Sequence, residues 1–129
     1  MQIDHYFEQV KVAIDQCSVV YSSEIDYDRR DNSTGFIRGN ILFQDVSILH
    51  VREFVSVMAG TNRLMYSYQY MSAAKDLIFR YDDADHHRHL RLPTHPHHKH
   101  DGSEQNIVAS HAPMLADVLA EIEQIVRTP

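Results

Sequence analysis

The amino-acid sequence predicts an α+β fold, in which an antiparallel sheet of about five strands packs with an N-terminal and a C-terminal helix. Apolar residues recur at helical spacing near the two ends of the chain. Between them, residues 18–81 are rich in β-branched and aromatic residues and are interrupted by short turn-forming clusters. Short strands joined by short turns favour an antiparallel meander over parallel units with crossover helices.

The individual elements follow from these patterns in chain order. A first amphipathic helix is predicted over residues 2–17, and a last helix begins near Pro113, since proline suits the first helical turn. The strands fill residues 18–81. Residues 86–110 are interpreted as a loop, because histidine, proline, glycine and serine dominate there. The sequence shows no repeat and no linker, so residues 1–129 are expected to form a single domain.

One face of the sheet is expected to lie beneath the two helices. In the third strand the residues that share this face are Leu49, Val51, Glu53, Val55 and Val57. In the fourth strand one face carries Leu64, Tyr66, Tyr68 and Tyr70. Glu53 interrupts an apolar row, and a buried carboxylate needs a partner or a raised pKa, either of which is common in a working site. The alternative is that Glu53 lies near a strand end and is solvated or paired with an arginine.

The charge of the chain excludes a protein that coats nucleic acid by bulk attraction, because the formal net charge is −6 with the histidines neutral. The basic residues are concentrated instead between His86 and His100, where seven histidines, Arg88, Arg91 and Lys99 occur without any acid. The single cysteine excludes an intramolecular disulfide. The N-terminal residues carry acids and no long apolar run, so we expect no signal peptide, no membrane contact and a cytoplasmic location.

The histidine-rich segment suits acid–base chemistry on a phosphodiester. Histidine has an unperturbed pKa of about 6.5, so a pair can hold one neutral base and one protonated acid near neutral pH. Cleavage of RNA without a metal needs a base for the ribose 2′-hydroxyl, an acid for the leaving 5′-oxygen and a cation for the phosphate. Arg80, Arg88 and Lys99 are candidates for the cation. Tyr68 and Tyr70 are candidates for base stacking or a phenolic hydrogen bond.

Two other interpretations of this segment stay open. Short histidine spacings, such as those among His97, His98 and His100, can close around Zn²⁺ or another borderline cation, so a metal site and a metal-dependent nuclease are one alternative. The other is a polar loop without chemistry of its own, or one that binds RNA or a protein without cutting it.

The residues also resemble a known family. The stretch from Tyr66 to Tyr70, the run Leu77-Ile78-Phe79-Arg80-Tyr81-Asp82 and the later run Pro96-His97-His98-Lys99-His100 resemble the TumE-like toxins of toxin–antitoxin operons, over residues 35–125. The resemblance implies a small toxin that a helix-turn-helix antitoxin neutralises, with an RNA-cleaving or translation-blocking activity. The positions that match the motif are Arg80, His86, His87, His98, Lys99 and His100, with Glu53 and Tyr68 in support.

We therefore expect a metal-independent endoribonuclease toxin, with RNA as its substrate and no cofactor. His98 and His100 are the first candidates for acid and base, and His86 or His87 would substitute for one of them. Arg80 and Lys99 would hold the phosphate, and Glu53 would orient a histidine or an arginine from below. A homodimer is compatible with the sequence.

Overall fold

The computed structural model describes residues 1–85 and 87–128. Within these residues it contains two α-helices and a seven-stranded sheet, with a 3₁₀ turn at Arg88–Leu90. In chain order the elements are α1 (Ile3–Gln16), β1 (Val20–Arg29), β2 (Thr34–Phe43), β3 (Ile48–Ser56), β4 (Asn62–Met71), β5 (Leu77–Asp82), β6 (His98–Asp101), β7 (Ile107–Ala109) and α2 (Leu115–Arg127). Consecutive strands pair antiparallel throughout, so the predicted meander with a helix at each end is confirmed.

The predicted number of strands is wrong, because two strands lie in the segment that the sequence indicated as a loop. β6 and β7 extend the sheet beyond β5 within residues 86–110. β6 has the sequence His-Lys-His-Asp and no apolar residue, so hydrophobic alternation could not identify it. Its two histidines are nevertheless buried, while the lysine between them is only half-buried.

Both helices cover one face of the sheet and form the core with it. The predicted buried row of β3 is confirmed, and Glu53 is buried within it. In β4 the prediction holds for Tyr66, Tyr68 and Tyr70, whereas Leu64 is 49 % exposed. A register shift explains this exception: Phe54 pairs with Met65, but Val55 pairs with Arg63, so Leu64 is passed over in the ladder.

The opposite face of the sheet carries polar side chains in two cross-strand rows. The first polar row consists of Asp26, Arg38, Arg52, Ser67, Asp82 and His98, each paired with the next across β1 to β6. The second polar row consists of Glu24, Asn40, His50, Gln69, Arg80 and His100. A groove of about 700 Å³ runs over the part of both rows that lies in β2 to β5, and its lining includes Arg38, Arg52, Gln69, Arg80 and Asp82. No helix among the described residues is long and apolar enough to cross a membrane.

Candidate active site: the histidine cluster at the end of the groove

The two histidines of β6 end the two polar rows. β6 pairs with β5 so that His98 lies opposite Asp82 and His100 opposite Arg80. Because side chains alternate along a strand, both imidazoles point to the groove side of the sheet and Lys99 points to the helix side. Each histidine is only 2 % exposed, so both rings lie behind the groove lining rather than in it. We call His98, His100, Arg80 and Asp82 the histidine cluster.

The partners of His100 determine its tautomer. Nδ1 lies 2.8 Å from the backbone carbonyl oxygen of Glu104, which can only accept, so Nδ1 carries the proton. Nε2 lies 3.0 Å from Nη2 of Arg80, which can only donate. His100 is therefore a neutral imidazole whose Nε2 lone pair accepts a hydrogen bond from a guanidinium.

The partners of His98 differ from those of His100. Nδ1 donates to the carbonyl oxygen of Pro96 over 2.8 Å. Nε2 lies 2.8 Å from Oδ1 of the Asp82 carboxylate and 3.2 Å from Nε2 of His100, both of which accept. Both nitrogens of His98 therefore face acceptors, whereas Nε2 of His100 faces the donor Arg80. The cluster thus holds two imidazoles with opposite hydrogen-bonding partners at Nε2.

Arg80 connects the cluster with the groove and with a surface turn. Its Nη1 and Nη2 donate to the Glu104 carboxylate over 2.6 and 2.8 Å, and its Nε donates to Asp82 over 3.0 Å. Burial opposes the charge of Arg80, but the hydrogen bonds to Glu104 and Asp82 outweigh it and raise its pKa. The guanidinium is therefore a fixed cation, and a carboxylate from the β6–β7 turn occupies its bidentate face.

A third histidine lies against the pair. The ring centroid of His87 is 4.8 Å from that of His98 and 5.5 Å from that of His100. One nitrogen from each of the three rings lies within 4.8 Å of the others. The metal trio considered from the sequence differs from this one, because His97 points to Tyr66, whose hydroxyl is 2.9 Å from its Nδ1. The candidate His86 lies outside the described residues.

Four of the predicted site residues are separated from the cluster by the sheet. Glu53 lies on the helix side, where it accepts hydrogen bonds from the hydroxyls of Tyr6 and Tyr68, the latter over 2.6 Å. The Tyr70 hydroxyl lies 2.7 Å from Ser47 Oγ, and Lys99 pairs with Glu121 over 3.4 Å. The expectation that Glu53 orients a histidine or an arginine of the site from below is therefore not met.

The side chain of Arg88 is also occupied elsewhere. It is 78 % exposed, and its Nη2 is 2.7 Å from an Asp85 carboxylate oxygen. The structure thus brings together Arg80, His87, His98 and His100 among the predicted residues, and it adds Asp82 and Glu104. Asp82 could have been found from the sequence, since it follows Arg80 at the strand period of two. Glu104 could not, because no pattern distinguishes it from other acids in a turn.

Comparisons with known proteins identify the family of this chain. No curated protein and no solved structure matches it. The model of the family described as Toxin TumE matches residues 10–126, which confirms the resemblance seen in the sequence. A toxin of this kind implies an antitoxin as its partner. The chain belongs to the TumE toxin family.

Proposed function

We propose that this toxin cleaves single-stranded RNA, with the histidine cluster as its chemical centre. The observation that carries the proposal is a pair of imidazoles with opposite hydrogen-bonding partners at Nε2, beside a guanidinium at the end of a groove. The Nε2 atoms of His98 and His100 are 3.2 Å apart, and the hydrogen-bond partners of the two rings differ as an acid and a base require.

The roles follow from these hydrogen-bond partners. His100 Nε2 takes the proton of the ribose 2′-hydroxyl, whose oxygen attacks the adjacent phosphorus. His98 gives its Nε2 proton to the leaving 5′-oxygen, so the products are a 2′,3′-cyclic phosphate and a 5′-hydroxyl. Arg80 binds two phosphate oxygens in the bidentate manner that it uses for Glu104. The reaction moves protons between the RNA and the two histidines and consumes no other reactant.

Substrate entry depends on the turn between β6 and β7. Glu104 contacts the cluster twice, through its carboxylate to Arg80 and through its backbone carbonyl to His100. A phosphate that replaces the carboxylate on Arg80 displaces the Glu104 side chain, while the backbone carbonyl continues to hold Nδ1 of His100. His98 must then turn away from its 3.2 Å contact with His100, because the acid and the base act on opposite sides of the phosphorus.

A second candidate is a metal-dependent nuclease, which a specific feature of the cluster favours. His98 and His100 both donate a hydrogen bond from Nδ1 to a backbone carbonyl oxygen, as metal-bound imidazoles commonly do. Their Nε2 atoms point towards each other. Ligands of a tetrahedral Zn²⁺ lie about 3.4 Å apart, close to the observed separation of 3.2 Å. His87, His98, His100 and Asp82 would hold the ion, which would supply a Lewis acid. Loss of cleavage in EDTA and its return with added Zn²⁺ would favour this candidate.

We also propose that a helix-turn-helix protein encoded beside this chain is the antitoxin, and that the toxin acts in the cytoplasm. Co-expression followed by purification through a tag on the neighbouring protein tests the pairing. Recovery of both chains as one complex, together with relief of growth arrest, is the expected result. Independent elution of the two chains would refute the pairing. Size-exclusion chromatography of the purified toxin tests whether it is a homodimer.

Cleavage itself is tested by substitutions that keep the cluster polar. His98→Gln and His100→Gln should each lower the rate of cleavage of a labelled single-stranded RNA by about 10²-fold or more. The control is His5→Gln, since His5 is an exposed histidine on α1. Circular dichroism and the melting temperature show whether each variant is folded. Full cleavage by both folded variants would refute the assignment, and RNA binding without products from the unaltered protein would show a binding module instead.

A further inference from the structure

Two arginines face each other on the floor of the groove, away from the histidine cluster. Arg38 and Arg52 are directly paired across β2 and β3, and both are exposed. Neither makes an ion pair or a side-chain hydrogen bond with any residue that the structure describes. Like charges placed directly opposite in a sheet are destabilising, and although Asp26 lies opposite Arg38 on its other side, an anion that binds between the two arginines would relieve their repulsion.

The arginine pair is continuous with the histidine cluster. Arg38, Arg52, Ser67, Asp82 and His98 follow one another in the first polar row. The five strands from β2 to β6 span roughly 19 Å at the usual spacing between strands. The same groove is lined by both arginines and by Arg80, so a ligand that contacts all three would lie across the strands.

An apolar patch lies beside the arginine pair. Phe36 and Phe54 are stacked with their ring centroids 4.4 Å apart, and they are half-buried on the groove side of the sheet with Met65. Phe36 is stacked on Phe54, and the Arg30 guanidinium lies 4.8 Å from the ring centroid of Phe36, so Phe54 and Met65 are the part of the patch that can accept a base, while the arginines accept a phosphate. Every nucleotide of a single strand carries a phosphate next to an aromatic base, so the combination favours a nucleic acid.

The charges at the edge of the sheet define where the ligand ends. Asp26 lies opposite Arg38 in β1, and Glu24 lies opposite Asn40. These carboxylates repel a phosphate beyond β2. In the other direction the groove continues past the uncharged Ser67 and Gln69 to Arg80, where Asp82, which pairs with Arg80, and Asp83 also line it. A groove of about 700 Å³ is of the size that holds a ligand of a few aromatic rings, which corresponds to a short single strand rather than a duplex.

We propose that Arg38 and Arg52 form a phosphate subsite for single-stranded RNA, at a distance from the scissile phosphate held by Arg80. A neighbouring base packs against Phe54 and Met65. This proposal rests on the proposed function for the identity of the ligand. The subsite contributes to RNA binding and does not contact the reacting atoms.

The subsite is tested by RNA binding, separately from cleavage. The probe is a fluorescein-labelled, fully 2′-O-methylated oligonucleotide, which lacks the attacking hydroxyl, and the readout is fluorescence anisotropy at several salt concentrations. Arg38→Gln/Arg52→Gln should weaken binding about tenfold or more and lower the slope of log Kd against log salt by about 0.7 for each arginine. The matched control is Lys11→Gln/Arg127→Gln, which removes two exposed charges from the helix side.

A second readout distinguishes a binding role from a structural one. Because the like-charge repulsion disappears, the double variant should melt at the same temperature as the unaltered protein or a higher one. In cleavage assays its KM should rise while kcat is largely retained. Loss of melting temperature in parallel with binding would overturn the proposal.

The remaining outcomes separate this subsite from the proposed function. If the double variant binds the probe like the control, with an unchanged salt slope, the subsite is refuted even where the unaltered protein cleaves RNA. If the unaltered protein binds the probe through the two arginines but produces no cleavage, the subsite is supported and the proposed function fails. If a polyglutamate peptide competes as well as unlabelled RNA, the pair serves an acidic protein segment and the proposal is overturned.

Discussion

Glu104 occupies the bidentate face of Arg80, with its two carboxylate oxygens 2.6 and 2.8 Å from the two terminal nitrogens. A phosphate uses the same two nitrogens, so the carboxylate and the substrate compete for one position. Glu104 is itself half exposed at the surface, whereas Arg80 is mostly buried, which makes the acid the partner that can leave. The structure in which Glu104 binds Arg80 therefore competes with the structure in which RNA binds Arg80.

Removal of this competing charge should activate the toxin. Glu104→Gln keeps the backbone carbonyl that holds His100 but replaces the carboxylate by a neutral amide. RNA should then reach Arg80 more easily, and we expect KM to fall about three- to tenfold, since an exposed ion pair contributes little beyond about 1 kcal/mol. Steady-state cleavage kinetics measure the effect. Glu8→Gln on α1 controls for net charge, and an unchanged or increased KM in Glu104→Gln would contradict the competition.

Asp82 should orient the His98 ring for catalysis. Its carboxylate contacts His98 Nε2 over 2.8 Å and Arg80 Nε over 3.0 Å. Asp82→Asn leaves one oxygen in a side chain of similar shape but replaces the other oxygen by an amide nitrogen that can only donate, so the hydrogen bonds to His98 and Arg80 cannot both be kept. We expect a lower kcat for RNA cleavage in a variant that circular dichroism shows to be folded. An unchanged kcat in the folded variant would contradict this role of Asp82.

Glu53 should matter for stability rather than for catalysis. Its carboxylate is fully buried and accepts hydrogen bonds from Tyr6 and Tyr68, on the helix side of the sheet. Glu53→Leu leaves two buried hydroxyls without their acceptor, which costs about 1–3 kcal/mol for each unsatisfied group. Urea denaturation should show this loss. The folded fraction should keep the kcat of the unaltered protein. A kcat reduced about 10²-fold in that fraction would show instead that Glu53 takes part in catalysis.

The two tyrosines that bind Glu53 also predict how the stability of the protein responds to alkaline pH. Burial, and next the charge of Glu53, raise the pKa of the Tyr68 hydroxyl well above its usual value, and Tyr6 is raised in the same way. Above about pH 10 the unfolded chain releases these protons while the folded chain retains them. The contribution of these two hydroxyls to stability should therefore be complete below about pH 10. The free energy of unfolding should fall as the pH rises further.

Urea midpoints at pH values on both sides of this limit measure the fall. Tyr6→Phe should make it shallower, because one of the hydroxyl protons that the folded chain retains is no longer present. Tyr21→Phe is the control, since Tyr21 is exposed and 74 % of its surface is accessible. An equal change of slope in both variants would contradict the explanation.

Much of the fold followed from the sequence because its hydrophobic pattern is regular. The row from Leu49 to Val57 showed which face of β3 is buried, including Glu53, and the two helices were identified by their apolar spacing. β6 was missed for a physical reason. Its buried residues are histidines whose polar atoms are satisfied by Asp82, Arg80 and two backbone carbonyls, and such burial leaves no hydrophobic signal.

The candidate site was predictable only in part for a related reason. His98, His100 and Arg80 could be grouped by their residue types and by the family motif. Which face they share depends on the register of β5 with β6, and the sequence does not specify the register of a short polar strand. Tyr68 and Lys99 were therefore placed in the site, although they point to the other side of the sheet. Arg38 and Arg52 gave no signal, since only the pairing of β2 with β3 brings them together.

The central claim is that His98 and His100 cleave RNA through its own 2′-hydroxyl, and the products of cleavage test it most directly. Purified toxin is incubated with a single-stranded RNA in the presence of EDTA, and the fragment ends are identified by mass spectrometry. The account predicts fragments with 2′,3′-cyclic phosphate and 5′-hydroxyl ends, and none from an all-deoxy strand of the same sequence. Fragments that carry 5′-phosphate ends, or cleavage of the all-deoxy strand, would contradict it.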